Sequence, residues 1–162
     1  PIDQTEIRQM LLNSYIADMA KYANQADTVR IFEAYDSLML ASCLAGMAIT
    51  HTGTSIPHGL SYYLTYNKDI PHGKAVGLFL PGYLKVIQKE MPDEVADFLA
   101  VLGFDELEQF AFLIKQLLGD YEITKEDIEK MTDEIMATPR KLNAVPFKVT
   151  REDVEDMAAY LA

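Results

Sequence analysis

Apolar residues recur at helical spacing along most of the chain and alternation at a period of two is nearly absent, so the pattern predicts an all-α protein. Ile7, Leu11, Tyr15 (or Leu12) and Met19 share one face. Val29, Phe32 and Tyr35, with Leu38 and Met39, share a second, which runs into an apolar segment from Leu38 to Ile49 broken only by Ser42 and Gly46. A helix apolar on all sides needs cover on all sides, so this one is expected to be buried and central. Leu107, Phe110, Ala111, Ile114, Leu117 and Leu118 keep one stripe while Glu106, Glu108 and Lys115 fall largely opposite, which predicts an amphipathic surface helix.

Helix boundaries are also legible. Thr124 and Thr150 each precede acidic residues, an N-cap hydroxyl followed by negative charge in the first turn. Pro92 with Asp93 and Glu94 marks another start, and Gly103 and Gly119 are expected helix ends. The expectation is about eight helices in one domain over residues 1–162. Thr138 to Phe147, with two prolines among poor helix formers, is expected to be an extended connection.

Charge narrows the partners. Twenty-five acidic against fourteen basic residues give a formal charge of −11, which repels nucleic acid and anionic membrane surfaces. No segment reads as a signal peptide, and the Leu38–Ile49 run is too short to span a bilayer. The single cysteine, Cys43, cannot form an internal disulfide and is expected as a small buried thiol, which suits a reducing, cytoplasmic location. A chain that opens with Pro1-Ile2-Asp3 lacks an initiator methionine, so a longer natural protein is expected.

The informative motif is a repeat: Ile56-Pro57-His58-Gly59 recurs as Ile70-Pro71-His72-Gly73, two histidines fourteen residues apart in the same context. Proline disfavours helix for the residue before it and fixes its own φ, so each histidine is expected at a helix start or sharp bend. There the positive end of the helix dipole disfavours imidazolium and leaves a neutral nitrogen for a cation. Each following glycine admits close approach of backbone or ligand. Leu60 to Asp69 has room for a helix and a turn that would fold back and bring the rings together. Two histidines at this spacing are not by themselves a metal signature, and two imidazoles leave a transition metal short of ligands. Structural histidines in a helical packing or oligomerisation module remain the alternative, and a complete small metal protein would need a carboxylate near both rings. His51, two turns upstream if helix were continuous, reads as a polar residue at a helix end, because Gly53 interrupts.

Ala45-Gly46-Met47-Ala48, Gly53, Pro57-His58-Gly59, then Pro71-His72-Gly73-Lys74-Ala75-Val76 and Leu80-Pro81 resemble, in order and spacing, the metal-binding stretch of iron-containing (group III) alcohol dehydrogenases. The likeness is strong over about residues 38 to 85 and weaker to the C-terminus. Glycerol dehydrogenases and dehydroquinate synthases share the architecture, but the fourteen-residue spacing and the Leu-Pro that follows favour the alcohol dehydrogenase branch. The resemblance implies a helical C-terminal domain with His58 and His72 as two of four ligands to Fe²⁺ or Zn²⁺. It places the other two, an Asp and a His four residues apart, upstream of Pro1, together with an α/β domain that would bind NAD or NADP. It further implies hydride transfer between a small alcohol and an aldehyde or ketone, no activity from residues 1–162 alone, and a homodimer as a candidate assembly. Many relatives carry an additional active-site histidine where this chain has Tyr62, which retains polarity without an imidazole's titration near neutral pH. Tyr62, Tyr63 and Tyr66 are candidates for the substrate side and equally for the core.

Overall fold

A computed structural model describes the backbone of residues 25–160 and the side chains of residues 33–160. The Ile7 to Met19 stripe and the side chains of Val29 and Phe32 lie outside these. The chain divides into two compact units, one up to His51 and one from Thr52 onward.

In the first unit, α1 (Gln25–Thr52) is a continuous helix through the apolar segment. Contrary to the expectation of burial, Leu38, Leu40, Leu44 and Met47 are 57–63 % exposed and Cys43 is an exposed free thiol. The reason is geometric: the apolar side chains surround the helix, and a helix cannot cover its own sides, so its burial depends on other elements and not on its own sequence. No helix among the described residues is long and apolar enough to cross a membrane.

The second unit contains α2 (Ile56–Lys68), α3 (His72–Leu78), α4 (Leu80–Glu90), α5 (Pro92–Val101), α6 (Leu107–Leu118), α7 (Lys125–Met136), the single turn α8 (Pro139–Leu142) and α9 (Arg151–Ala159). With no strand among the described residues, the all-α expectation holds. Ile56, Leu60 and Leu64 on α2, Phe79, Met131 on α7, and Val154 and Met157 on α9 form the main core. Leu84, Val95, Leu99, Leu107 and Phe110 form a second cluster. α6 forms where its stripe predicts, but only Leu107 and Phe110 are fully buried and Leu117 is 64 % exposed.

Local chemistry sets the boundaries. The Thr124 and Thr150 hydroxyls accept from the amides of Asp127 and Asp153, whose carboxylates accept in return from the threonine amides at 2.8 and 2.9 Å. Gly103 and Gly119, at φ +81° and +88°, follow α5 and α6 as expected. The connection expected to be extended instead winds into α8, because Pro139 is compatible with a first helical turn.

Asp127 ties α7 to α2. It is buried and pairs with Lys68 at 2.8 Å, while the Tyr63 hydroxyl donates to it at 3.1 Å. Burial alone pushes this carboxyl up; the Lys68 ammonium, the Thr124 amide and hydroxyl and the Tyr63 hydroxyl outweigh that and hold it well below the usual carboxylate range.

Candidate metal centre

Both Pro-His-Gly elements start helices, for the reason the sequence supplies. Ser55 is extended, Pro57 sits in the first turn of α2 where its missing N–H is no loss, and His58 follows it. At the other end Asp69 turns left-handed at φ 53° and its amide bonds the Leu64 carbonyl. Ile70, 3 % exposed, anchors the return, and Pro71 delivers His72 as the first residue of α3. The rings of His58 and His72 thereby meet edge to face, centroids 5.5 Å apart.

Ser61 supports the pair from the protein side. Fully buried one turn after His58, it donates its hydroxyl to the His58 carbonyl at 2.8 Å, and its oxygen lies 3.4 Å from Nδ1 of His72. With the hydroxyl proton so committed, we assign the ring hydrogen of His72 to Nδ1, which leaves Nε2 with the free lone pair. Burial first, then repulsion from His72 when it is protonated and from Lys141, lower the pKa of half-buried His58 and favour its neutral ring.

Tyr62 and Lys141 complete the surroundings. Tyr62, half exposed, stacks on His72 with centroids 5.7 Å apart and planes 11° from parallel. Lys141, from α8, carries its ammonium 5.6 Å from the Tyr62 ring centroid and donates to the Thr54 carbonyl at 3.3 Å and to the Thr54 hydroxyl. Of the other two tyrosines, Tyr63 turns into the core toward Asp127 and Tyr66 is 87 % exposed. The glycines also differ: a Cβ on Gly59 would strike the side chain of Ile135, whereas one on Gly73 would meet nothing within 4 Å. His51 ends α1, its Nδ1 3.0 Å from the Met47 carbonyl and 3.1 Å from the Thr50 hydroxyl, the polar helix-end residue expected.

Ser61 and Lys141 escaped the sequence reading. The first was findable as the residue one turn beyond His58. The second carried no signal, since its segment reads as an extended loop. Among the described residues no group of three or more His, Cys, Asp or Glu side chains could hold a metal ion. The two imidazoles offer part of a shell, and the carboxylate that a complete small metal protein would need is not beside them.

Residues 2–161 match the model of the Fe-containing alcohol dehydrogenase family, C-terminal. The chain is 28% identical to a 4-hydroxybutyrate dehydrogenase of Clostridium kluyveri, over 90% of this chain and 42% of that protein. It is 29% identical to a sulfoacetaldehyde reductase of Bilophila wadsworthia, over 75% of this chain and 36% of that one. The crystal structure of an iron-containing alcohol dehydrogenase from Thermotoga maritima superposes with a TM-score of 0.67 at 32% identity, covering 80% of this chain and 35% of that chain. The chain thus spans 35–42% of the length of these relatives. A match running through residues 2–161 leaves the assignment plain: the chain belongs to the Fe-containing alcohol dehydrogenase family, and it is the C-terminal domain of that family that it represents.

Proposed function

We propose that the protein containing this chain is a metal-dependent NAD(P) alcohol dehydrogenase that interconverts a small alcohol and its aldehyde or ketone by hydride transfer. The observation that carries the reading is the pairing of His58 with His72, 5.5 Å apart, in a chain of this family. Residues 1–162 are its helical metal-binding part. An upstream α/β domain holds NAD or NADP and supplies the remaining Asp and His ligands, and residues 1–162 alone are inactive.

The donor set fits Fe²⁺ or Zn²⁺: two imidazoles on backbone stiffened by proline, one oriented by a buried hydroxyl, leaving positions for further ligands and a substrate oxygen. When bound, such an ion supplies Lewis-acid polarisation of the alcohol or carbonyl oxygen. His58 and His72 hold it, Ser61 fixes the orientation of His72, and Tyr62 covers one face of that ring on the substrate side. The relatives named for 4-hydroxybutyrate and sulfoacetaldehyde support a small alcohol or aldehyde as substrate. The exposed apolar side chains of α1 favour a packing role for that helix, within the longer protein or in a homodimer. An unpaired Cys43 suits the cytoplasm.

Calorimetry with Zn²⁺, and with Fe²⁺ under anaerobic conditions, tests the reading on this chain, on the protein extended upstream, and on its His58→Ala and His72→Ala variants. Tight binding in the extended protein, abolished by either substitution and accompanied by alcohol-dependent reduction of NAD or NADP, is the expected result. Binding indifferent to both substitutions would sink it.

A further inference from the structure

Lys141 stands apart by burial: among residues 33–160 it is the only lysine or arginine that is not exposed. In this acidic chain Lys68, Lys89, Lys115, Lys130 and Arg151 each contact a carboxylate within 3.5 Å. Lys141 enters no such pair among the described residues; its ammonium is held by the carbonyl and hydroxyl of Thr54, both neutral. It is also half-buried, its stem running past Gly59, and its positive potential reaches His58. A lysine whose ammonium is anchored by neutral oxygens over an aromatic face keeps its full charge for a further partner. Tyr62 links the ammonium to the histidine pair: the ammonium lies 5.6 Å from the centroid of that ring, which is itself stacked on His72. A short molecule with an oxygen at the histidines would therefore carry its other end past Tyr62 toward a fixed positive charge.

We propose that Lys141 determines specificity by binding an anionic group, carboxylate or sulfonate, at the far end of a short alcohol or aldehyde whose oxygen lies at the His58–His72 site. The substrate class is then ω-hydroxy or ω-oxo organic anions. This rests on the dehydrogenase reading above. Lys141 acts as a binding residue and takes no part in proton or hydride movement.

The test uses the whole protein with its upstream domain and bound metal. Turnover of three- to six-carbon ω-hydroxycarboxylates and ω-hydroxysulfonates is compared with that of the matching 1-alkanols, in wild type, Lys141→Met and Lys141→Arg. Wild type is expected to prefer the anions, less so as salt is raised. Lys141→Met should lower kcat/KM for the anions, mainly through KM, by about ten- to a hundredfold more than it lowers kcat/KM for the alkanols. Lys141→Arg should retain most of the preference. A second readout needs no turnover: butanoate should shift the His58 and His72 ring signals saturably in wild type and Lys141→Arg but not in Lys141→Met. Alkanol turnover without anion preference in wild type, which requires no variant to fold, would overturn the proposal and leave the dehydrogenase standing. An equal loss for both substrate classes in Lys141→Met would reduce Lys141 to a brace for Thr54. No turnover of either class by metal-loaded protein would remove the dehydrogenase reading and this proposal together.

Discussion

Tyr62 lies almost parallel to His72, ring planes 11° apart, the middle of α2 stacked on the start of α3. The contact joins α2 to α3 at the level of the histidines, so the ring that would hold a metal is braced by a neighbour and not only by its own backbone. Tyr62→Phe preserves this stack, whereas Tyr62→Ala removes it along with the surface beneath Lys141. We expect Tyr62→Ala to weaken metal binding by the upstream-extended protein about three- to tenfold, and Tyr62→Phe to leave it nearly unchanged. Titration calorimetry distinguishes the two.

His58→Ala and His72→Ala should each lower metal affinity by more than about a hundredfold, since even partners one step removed from a metal cost ten- to a hundredfold. Their circular dichroism should remain that of the parent, because neither ring belongs to the main core. A loss of helicity equal to the loss of binding would mean that the histidines are structural.

Asp127 is a site for a pH test. Asp127→Asn removes the charge that Lys68, Thr124 and Tyr63 all address and should cost about 2 kcal/mol at neutral pH. Because the folded carboxyl titrates below its unfolded value, its contribution is fully present above about pH 4 and is lost as pH falls toward the folded pKa. Urea unfolding at pH 7 and near pH 3 should show the gap between wild type and variant narrowing on acidification. A constant gap would show that the carboxylate charge is not what the fold uses.

Gly82 and Gly59 should respond differently to alanine. A Cβ at Gly82 would meet the Met157 backbone, with its Cα at 3.0 Å, so α4 and α9 must move apart. At Gly59 the obstacle is the end of the Ile135 side chain, which can turn aside, although its Cγ1 stands at 3.3 Å. Gly82→Ala should destabilise by about 3 kcal/mol and Gly59→Ala by about 1 kcal/mol, in the range of core overpacking. Thermal unfolding reads both, and an equal cost would contradict the backbone contact.

Capping gives a smaller and cleaner effect. Thr124→Ala and Thr150→Ala each delete a hydroxyl that accepts from the third amide of its helix, at 3.2 Å in both cases. Each should lose about 1 kcal/mol. Thr→Ser controls that keep the oxygen should lose little, and denaturant unfolding is sensitive enough to separate them.

Where the governing physics is local, the sequence by itself decided the outcome. The threonine caps, the glycine stops after α5 and α6, and the proline-led helix starts at His58 and His72 each depend on a few adjacent residues, and each forms where those residues put it. The all-α class followed from periodicity, and the family from two motifs at a fixed spacing. Burial did not follow: the segment from Leu38 to Ile49 is apolar enough for a core, yet its leucines and Cys43 are exposed, because burial depends on what packs against a helix. The surroundings of the histidines were equally out of reach. The sequence alone could not tell that Tyr62, and not Tyr63 or Tyr66, faces His72, since three nearby tyrosines on one helix differ only in direction. Nor could it bring Lys141 to Thr54, eighty-seven residues away, and to Tyr62, a meeting set by how α8 packs against α2 in the folded chain.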